Sequence, residues 1–248
     1  MKKKIKNSLY IIIPAYNEAE NIEKTVRDWY PVVSSHNESG FSRVVVVDDG
    51  STDETGAILT RLERELELLV PLKKENGGHG SAVLSGYRFA VRAGADWIFQ
   101  TDSDGQTDPS GFEKFWRHRG GYDALFGSRT DRRDGRLRVL TEKVLCAVLF
   151  LVFGVALPDA NAPFRLMSRE YLVRYLKKIP ENYPLPNVML TVFGAWYHDR
   201  IGFIRIPFGK RQGGTNSIHF RKILRIGIRA LADFAAFRRI LMREADTN

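Results

Sequence analysis

The sequence predicts one α/β domain in which helices flank a mostly parallel sheet. Short apolar runs occur at LYIIIP (9–14), RVVVVDD (43–49) and WIFQTD (97–102), and each ends in polar or turn residues, as strands buried on both faces do. Helix-like stretches separate these runs, and strands that alternate with helices form parallel sheets with right-handed connections. The length of 248 residues suits one sizeable domain of this kind.

Three stretches that follow these runs have the periodicity of amphipathic helices. The first, EAENIEKTVRDWY, places Ile22 and Trp29 on one face. The second, ETGAILTRLERELELL, follows Asp53, which can cap a helix, and its apolar stripe predicts a helix that continues to Leu69. The third covers residues 79–94, where a glycine stops it.

The pattern changes after Leu140. Residues 144–157 are fourteen uncharged residues, fewer than the roughly 18–20 apolar residues that span a bilayer. They predict either a buried core helix or a helix that lies in a membrane interface. Residues 217–243 have the pattern of a long amphipathic helix with one basic face. We therefore divide the chain into a globular domain, residues 1–210, and a basic helical segment, residues 211–248, packed on it or extending from it.

The net charge of +9 lies in one part of the chain. Between Arg205 and Arg243 there are ten lysines and arginines and one acid, Asp233, so this segment carries +9 and the remainder sums to zero. Such a segment indicates an anionic partner: a membrane surface, a nucleic acid or an acidic protein. Because a long apolar face accompanies the charge, the pattern favours an anionic membrane over a nucleic acid. A single cysteine excludes a disulfide framework, so we expect a cytoplasmic protein, peripheral at the inner face of the membrane.

Three carboxylates crowd into TDSDGQTDP, residues 101–109, directly after an apolar run. Asp102, Asp104 and Asp108 repel one another there, and a solvated acidic turn is one interpretation. The other is a cation site, because hard divalent ions bind carboxylate oxygens. In parallel sheets, ligands bind beyond the carboxyl ends of the strands, and the tails PAYNE, DDGS and DSDGQ are all expected at that edge. Two acidic tails at one edge favour the cation site.

The same tails carry groups suited to a nucleoside diphosphate. Asp48 and Asp49 of VVVVDDGSTD can accept hydrogen bonds from a base or a ribose, and Glu18 of PAYNE suits ribose hydroxyls. The segment ENGGHGSA is rich in glycine, so its backbone can approach a ligand closely. The chain lacks both GxxxxGKS/T and a GxGxxG after the first strand, which argues against a P-loop nucleotidase and a dinucleotide dehydrogenase.

Four motifs follow one another in a recognisable order: IIIPAYNEAENI, VVVVDDGSTDET, ENGGHGSAVLSGYRFAVRAGADWIFQTDSDGQTDP and DANAPFRLMSREYL. They resemble the family 2 glycosyltransferases of GT-A fold, in particular the dolichol-phosphate mannosyltransferase-like branch of polyprenyl-phosphate glycosyltransferases. The resemblance is strong over residues 8–170 and weaker after them. It implies a Rossmann-like GT-A sheet, a nucleoside-diphosphate-sugar donor, Mg²⁺ or Mn²⁺ on the DxD motif, and a hexosyltransferase that inverts the sugar carbon.

The resemblance also implies roles for individual residues. The residues expected to line the nucleotide pocket are Pro14, Tyr16, Glu18, Asp48 and Asp49. The residues expected to hold the metal are Asp102, Asp104 and Gln106. Gly127 and Arg129 match a segment that contacts a phosphate of donor or acceptor, Arg165 matches the arginine of a GFR-like element, and Arg211 and Ser217 resemble a later RxxGxSK-like element. His79 stands where a lysine is usual, and it either contacts a phosphate or simply begins a helix.

The acceptor predicted by this branch is a polyprenyl phosphate. A phosphate oxygen is already anionic at neutral pH, so it needs no general base but only positive groups such as Arg129, Arg165 and Arg211. The chain departs from the family in DANAPFRL, which has Ala-Pro where Ser-Gly is usual. The alternative is a saccharide hydroxyl in surface polysaccharide or lipopolysaccharide synthesis, for which Asp159 is the candidate base.

Two other classes of function compete with a glycosyltransferase. A sequence pI near 9.7 is typical of nucleic-acid-binding modules. A sugar nucleotidyltransferase also combines an α/β domain with a divalent ion, but its glycine-rich basic signature near the first strand is absent, and PAYNE stands there instead.

Overall fold

The structure is a computed structural model that describes residues 7–130, 136–207 and 220–245. Its seven strands form one sheet in the order β3-β2-β1-β4-β6-β5-β7. The strands are β1 (Leu9–Ala15), β2 (Arg43–Asp48), β3 (Leu69–Lys73), β4 (Trp97–Gln100), β5 (Ala124–Thr130), β6 (Arg165–Ser168) and β7 (Ile201–Pro207). Of these strands, β6 alone runs against its neighbours, so the other six end at the edge where β6 begins. We call this the carboxyl edge.

Helices cover both faces of the sheet. The helices are α1 (Ile22–Ser35), α2 (Thr55–Glu65), α3 (His79–Arg92), α4 (Phe112–His118), α5 (Arg136–Phe153), α6 (Arg169–Leu176), α7 (Pro186–Trp196) and α8 (Phe220–Ala245), with 3-10 turns at Pro109–Gly111 and Arg119–Gly121. The core on one face takes its side chains from α1, α2 and α4, and the core on the other face from α3 and α5 to α8. The predicted fold, a mostly parallel sheet flanked by helices, is confirmed.

The three apolar runs form the strands expected of them. All seven residues of β1 are buried, and Ile12 lies in register with Val45 of β2 and with Gln100 of β4. Pro14 lacks the N–H that a ladder needs, but β4 ends opposite Ile12, so a proline at this point of a central strand removes no bond to β4.

The prediction of a helix to Leu69 was wrong. Helix α2 ends at Glu65, and Leu69 begins β3, where it pairs with Val44 of β2. Pairing of this edge strand with β2 overrides the helical spacing of the leucines, which cannot distinguish a helix from a helix followed by a strand. The predicted cap, Asp53, lies one residue before the N-cap position, which Glu54 occupies, and its carboxylate accepts a hydrogen bond of 3.0 Å from the Thr55 N–H.

The apolar stretch 144–157 lies mainly in α5 and has two environments. Leu149 and Phe153 are buried in the core, whereas three side chains of the stretch, and Leu140 just before it, are exposed by half or more: Leu140, Val144, Phe150 and Leu151. We call these four residues the α5 ridge. The helix is therefore neither wholly a core helix nor wholly exposed. Among the described residues, none of the helices is both long and apolar enough to cross a membrane.

The predicted basic helix is present as α8 and packs on the domain. Phe234 and Phe237 are buried in the core, and Phe234 lies edge-on to Phe153 of α5 with ring centroids 6.0 Å apart. Leu231, an apolar residue of the same helix, is half exposed. The arginines of α8 whose side chains the structure describes are all exposed: Arg229, Arg238, Arg239 and Arg243.

Candidate active site

The carboxyl edge brings the three predicted tails together. Because β1 pairs in parallel with β2 on one side and with β4 on the other, PAYNE, DDGS and DSDGQ emerge side by side. Arg165 begins β6 next to β4, and Arg129 lies near the end of β5 beyond it. Two strand spacings, roughly 10 Å, therefore separate β4 from β5. We call the part of the edge on β2, β1 and β4, where the sequence predicts the nucleotide and metal residues, the donor side, and the part on β5 and β6 the acceptor side.

Asp49 organises the glycine-rich loop on the donor side. Its carboxylate is 2% exposed and accepts hydrogen bonds from Lys74 Nζ at 2.5 Å, from the Gly77 N–H at 3.0 Å and from the Gly78 N–H at 2.7 Å. Asp48 is also buried, and its Oδ1 accepts from the Ser51 N–H at 2.8 Å. The two aspartates therefore fix the loops on the donor side of the edge.

Glu18 and Tyr16 lie on the tail of β1. The Glu18 carboxylate is buried and accepts a hydrogen bond of 2.9 Å from the Asn21 side-chain amide, and Thr55 accepts from the Glu18 N–H. The Tyr16 ring is 47% exposed, so it is available to stack on a planar ligand. The structure thus places the predicted nucleotide residues at one end of the edge, around β1 and β2.

Close backbone packing holds the start of α3 beside the acidic loop. A Cβ at Gly80 would lie 2.4 Å from the Tyr183 carbonyl oxygen and 2.6 Å from that of Pro184, so position 80 admits only glycine. His79 is the first residue of α3, and its imidazole is 57% exposed with Nε2 3.9 Å from Asp102 Oδ1. His79 therefore begins a helix and also faces the site.

The three carboxylates after β4 do not share one task. Asp108 accepts from the Ser110 N–H at 2.8 Å and caps the following 3-10 turn. Asp104 accepts a hydrogen bond of 3.1 Å from the Gln106 N–H, two residues further along the loop. The Asp102 side chain is 25% exposed beside His79, whereas Gln106 is 6% exposed.

The donor set of this loop fits a hard divalent cation that is shared with a diphosphate. Within the described part of the chain, no group of three or more His, Cys, Asp and Glu side chains is placed to hold a metal alone. Magnesium at phosphate-transfer sites takes one or two carboxylates from the protein and completes its shell with phosphate oxygens and waters. Asp102 and Asp104 supply that number of carboxylates at the edge where a diphosphate is expected.

Arg129 is held by two carboxylates on the acceptor side. Its Nε donates to Asp159 Oδ2 at 2.7 Å, and its Nη2 donates to Asp159 Oδ1 at 2.9 Å and to Glu142 Oε2 at 3.0 Å. Glu142 comes from α5, and its other oxygen accepts from the Ala160 N–H at 2.9 Å. All three charged side chains are at most 13% exposed.

The two carboxylates of this cluster titrate differently. Burial acts to raise the pKa of Asp159, but the hydrogen bonds and charge of Arg129 outweigh it and the pKa lies below its ordinary value. Burial, followed by the negative charge of Asp159, raises the pKa of Glu142 above its ordinary value. With a lowered pKa and both oxygens bonded to Arg129, Asp159 is a weak base in this arrangement.

The expectation that Arg165 contacts a phosphate requires correction. Its side chain is 0% exposed, and its guanidinium donates to the carbonyls of Ala162 at 2.9 and 3.1 Å and of Asn187 at 3.0 Å. The same cation lies 4.9 Å from the centre of the Phe126 ring. Arg165 therefore fastens the segment that carries Asp159 to α7, and its charge is enclosed in the core.

Gly127 also has a packing role. A Cβ at this position would lie 2.7 Å from Ile206 Cδ1 and 3.0 Å from the Phe164 carbonyl oxygen, so the glycine permits β5, β6 and β7 to pack closely. Arg211 and Ser217, which complete the predicted set, lie outside the described residues.

Sequence reasoning missed two charged residues of the site, Lys74 and Glu142. Glu142 is the one acid in the stretch RLRVLTEKVLCAVLFLVF. A single acid in a stretch that is otherwise uncharged or basic could have indicated a buried partner for an arginine. Lys74 follows a strand that the helical prediction had concealed.

Comparisons with known proteins agree with this geometry. Residues 10–176 match the family described as Glycosyl transferase family 2. The UDP-N-acetylglucosamine–dolichyl-phosphate N-acetylglucosaminyltransferase of Methanococcus voltae is 30% identical over 66% of this chain and 70% of its own length. The prophage bactoprenol glucosyl transferase homolog of Escherichia coli K12 is 27% identical over 92% and 72%. The undecaprenyl-phosphate 4-deoxy-4-formamido-L-arabinose transferase of Pectobacterium carotovorum is 24% identical over 90% and 65%.

Among solved structures, the chain resembles glucosyl-3-phosphoglycerate synthase from Mycobacterium tuberculosis. The similarity covers 95% of this chain and 80% of that one, with a TM-score of 0.69 and 18% identity. That enzyme was crystallised with Mn²⁺, UDP-glucose and phosphoglyceric acid. The likeness confirms the predicted GT-A fold.

We expect Arg165→Lys to destabilise the protein strongly. A lysine ammonium cannot reach the carbonyls of both Ala162 and Asn187, and each buried carbonyl left without a donor costs about 1–3 kcal/mol. Urea denaturation measures the free energy of unfolding. Arg200→Lys is the matched control, because Arg200 is 65% exposed and pairs with Asp123 at the surface, where a pair contributes at most about 1 kcal/mol. Equal losses in the two variants would contradict the structural role of Arg165.

Proposed function

The chain belongs to glycosyl transferase family 2, and we propose that it transfers a sugar from a nucleoside-diphosphate-sugar to a polyprenyl phosphate at a membrane surface. The observation that carries the proposal is the division of the carboxyl edge. Buried aspartates and the DxD loop lie on its donor side. On its acceptor side, Arg129 is bonded to Glu142 of helix α5, which is partly exposed. The dolichyl-phosphate and bactoprenol transferases among its relatives support this assignment.

On the donor side, we assign the nucleoside to the pocket formed by the tails of β1 and β2. Tyr16 is exposed for stacking, and Asp48, Asp49 and Glu18 hold the surrounding loops and offer acceptors to the ribose and base. The diphosphate then lies toward Asp102 and Asp104, near His79, whose Nε2 is 3.9 Å from Asp102 Oδ1. Mg²⁺ or Mn²⁺ bound by the two aspartates would neutralise the diphosphate and stabilise it as the leaving group.

On the acceptor side, one phosphate oxygen attacks the anomeric carbon from the face opposite the diphosphate. The new carbon–oxygen bond forms as the bond to the diphosphate breaks, so the sugar is inverted and no proton needs to be removed. The state of Asp159 supports a phosphate acceptor over a hydroxyl, because its bonds to Arg129 make it a poor base. We assign phosphate orientation to Arg129 and to Arg211, which lies outside the described residues.

A lipid acceptor requires the enzyme to reach a membrane surface. The α5 ridge exposes Phe150 by 54% and Leu151 by 77%, and α8, which packs on α5, exposes four arginines. Near an anionic leaflet each basic residue contributes about 1 kcal/mol, so several are needed together with buried apolar side chains. We propose that α5 and α8 hold the enzyme at the inner face of an anionic membrane.

We expect Asp104→Asn to reduce turnover by roughly 10²-fold or more, because it removes one of two charged oxygen donors near the leaving diphosphate. Transfer is measured with the nucleoside-diphosphate-sugar that gives the largest thermal shift in the presence of Mn²⁺, since binding to the native state raises its stability. Asp108→Asn is the control: it alters the same loop but lies at the 3-10 turn, and should retain activity. Normal turnover by Asp104→Asn, or by wild type in excess chelator, would show that the metal assignment is wrong.

We expect the wild-type protein to sediment with vesicles that contain anionic lipid, and less so as salt rises. Phe150→Ser combined with Leu151→Ser should weaken binding by at least about 10-fold, since a fully buried Leu or Phe side chain contributes about 1.5–3 kcal/mol. Val173→Ser serves as the control because Val173 is an exposed apolar residue on α6, away from the ridge. Equal recovery in the supernatant with and without vesicles would count against membrane binding.

We expect lipid-linked sugar to form with polyprenyl phosphate and not with the unphosphorylated polyprenol, because the alcohol lacks an anionic oxygen and the site lacks an unpaired base at Asp159. The product is detected by thin-layer chromatography of radiolabelled sugar. Transfer to a soluble glycan with no transfer to any polyprenyl phosphate would overturn the acceptor assignment. In that case Asp159→Asn should abolish transfer.

A further inference from the structure

A buried polar chain lies directly beneath the DxD loop. Gln100, the last residue of β4, is 0% exposed, and its Oε1 accepts a hydrogen bond of 2.5 Å from the Tyr87 hydroxyl of α3. Its Nε2 lies 3.5 Å from Asp102 Oδ1. Two side chains to which the sequence analysis assigns no role therefore connect the core of the protein to the first DxD carboxylate.

The hydrogen bond from Tyr87 fixes which way the Gln100 amide faces. A phenol hydroxyl has one hydrogen to donate, and the amide oxygen accepts it, so the amide NH₂ is the group directed toward Asp102. A flipped amide would place its oxygen against the Asp102 carboxylate oxygen. Burial makes that arrangement costly, because unsatisfied polar groups in the core are rare.

The chain is anchored at its far end in α7. The Tyr87 hydroxyl also lies 3.1 Å from the Asn187 side-chain oxygen, and the Asn187 carbonyl accepts from Arg165 Nη1 at 3.0 Å and from the Thr191 hydroxyl at 2.9 Å. Tyr87 and Thr191 are 0% exposed, and Asn187 is 3% exposed. The Tyr87 hydroxyl therefore lies in a buried polar environment beside α7, and its one hydrogen is directed to Gln100.

We propose that Gln100 and Tyr87 are positioning residues that orient the Asp102 carboxylate for a divalent cation. The inference rests on the proposed function, which places that cation at Asp102 and Asp104. An N–H donor on Oδ1 restricts rotation of the carboxylate, so the cation meets an oriented ligand. Hydrogen-bond partners of metal ligands typically change metal affinity by about 10–100-fold when they are removed.

The test compares Tyr87→Phe with Tyr183→Phe. Both residues are buried tyrosines, but the Tyr183 hydroxyl has no hydrogen-bond partner among the described residues. Mn²⁺ affinity is measured by electron paramagnetic resonance in the presence of saturating UDP, and UDP affinity is measured separately in EDTA. We expect Tyr87→Phe to bind Mn²⁺ about 10-fold more weakly, with UDP affinity in EDTA unchanged, and Tyr183→Phe to behave as wild type.

A loss of Mn²⁺ affinity that is matched by an equal loss of UDP affinity in EDTA would indicate a purely structural role and overturn the proposal. Gln100→Met is the second variant, since it keeps the volume and removes the N–H donor, and it should reproduce the Mn²⁺ defect even if Tyr87→Phe does not fold.

Asp104→Asn distinguishes failure of the positioning role from failure of the proposed metal site. If it abolishes Mn²⁺ binding while Tyr87→Phe and Gln100→Met bind normally, the positioning role is wrong and the metal site stands. If Asp104→Asn binds Mn²⁺ normally, the metal site itself is wrong.

Discussion

Burial of β1 on both faces is the constraint on which the rest of the molecule depends. Ile11 and Ile13 enter the core on one side of the sheet, and Tyr10 and Ile12 enter the core on the other. A strand buried in this way needs helices on both faces, and the connections that supply them make its neighbours parallel. Parallel neighbours end at the same edge, so the polar tails meet there. The place of the donor site thus follows from hydrophobic packing.

The acceptor side depends on a different interaction, the enclosure of the Arg165 guanidinium. Since β6 runs opposite to β4, its first residue lies at the carboxyl edge, between the metal loop and Arg129. A charged side chain at this place is tolerated because carbonyl oxygens of two segments surround it. The segment that ends in Asp159 is thereby held in place, and Asp159 in turn holds Arg129. The buried Arg165 guanidinium thus supports Arg129 indirectly, through the segment that carries Asp159.

Much of the donor side could be predicted from the sequence, because its signals are local. The runs that end in PAYNE, DDGS and DSDGQ show both the strand and its polar tail within ten residues. The acceptor side could not be predicted in this way, because its contacts join distant segments: Arg129 meets Glu142 across 13 positions and Asp159 across 30. The motif that contains Arg165 identified an important residue but not its burial, since a motif gives no information on which carbonyls enclose a side chain.

Polar residues inside apolar runs were the signal that sequence reasoning underused. Gln100 is the last residue of the apolar run WIFQ, and Tyr87 lies within helix α3. Glu142 lies in the first half of the largely apolar helix α5. Each was read as part of its element, yet each is partnered by another element in the fold. Position 80 shows the same limit for glycine: the sequence indicates close approach, but the neighbour is the backbone of Tyr183 and Pro184, about a hundred positions away.

The connection from β5 to β6 is much longer than the pairing of these two strands requires. Adjacent antiparallel strands can be joined by a two-residue hairpin turn, yet this chain inserts residues 131–164, including α5, between them. The two paired strands β5 and β6 hold both ends of this insertion. Its length and composition can therefore differ among relatives without a change in the strand pairing of the sheet. Residues 131–164 can therefore change while β1, β2 and β4, whose tails carry Glu18, Asp49 and Asp102, keep their pairing.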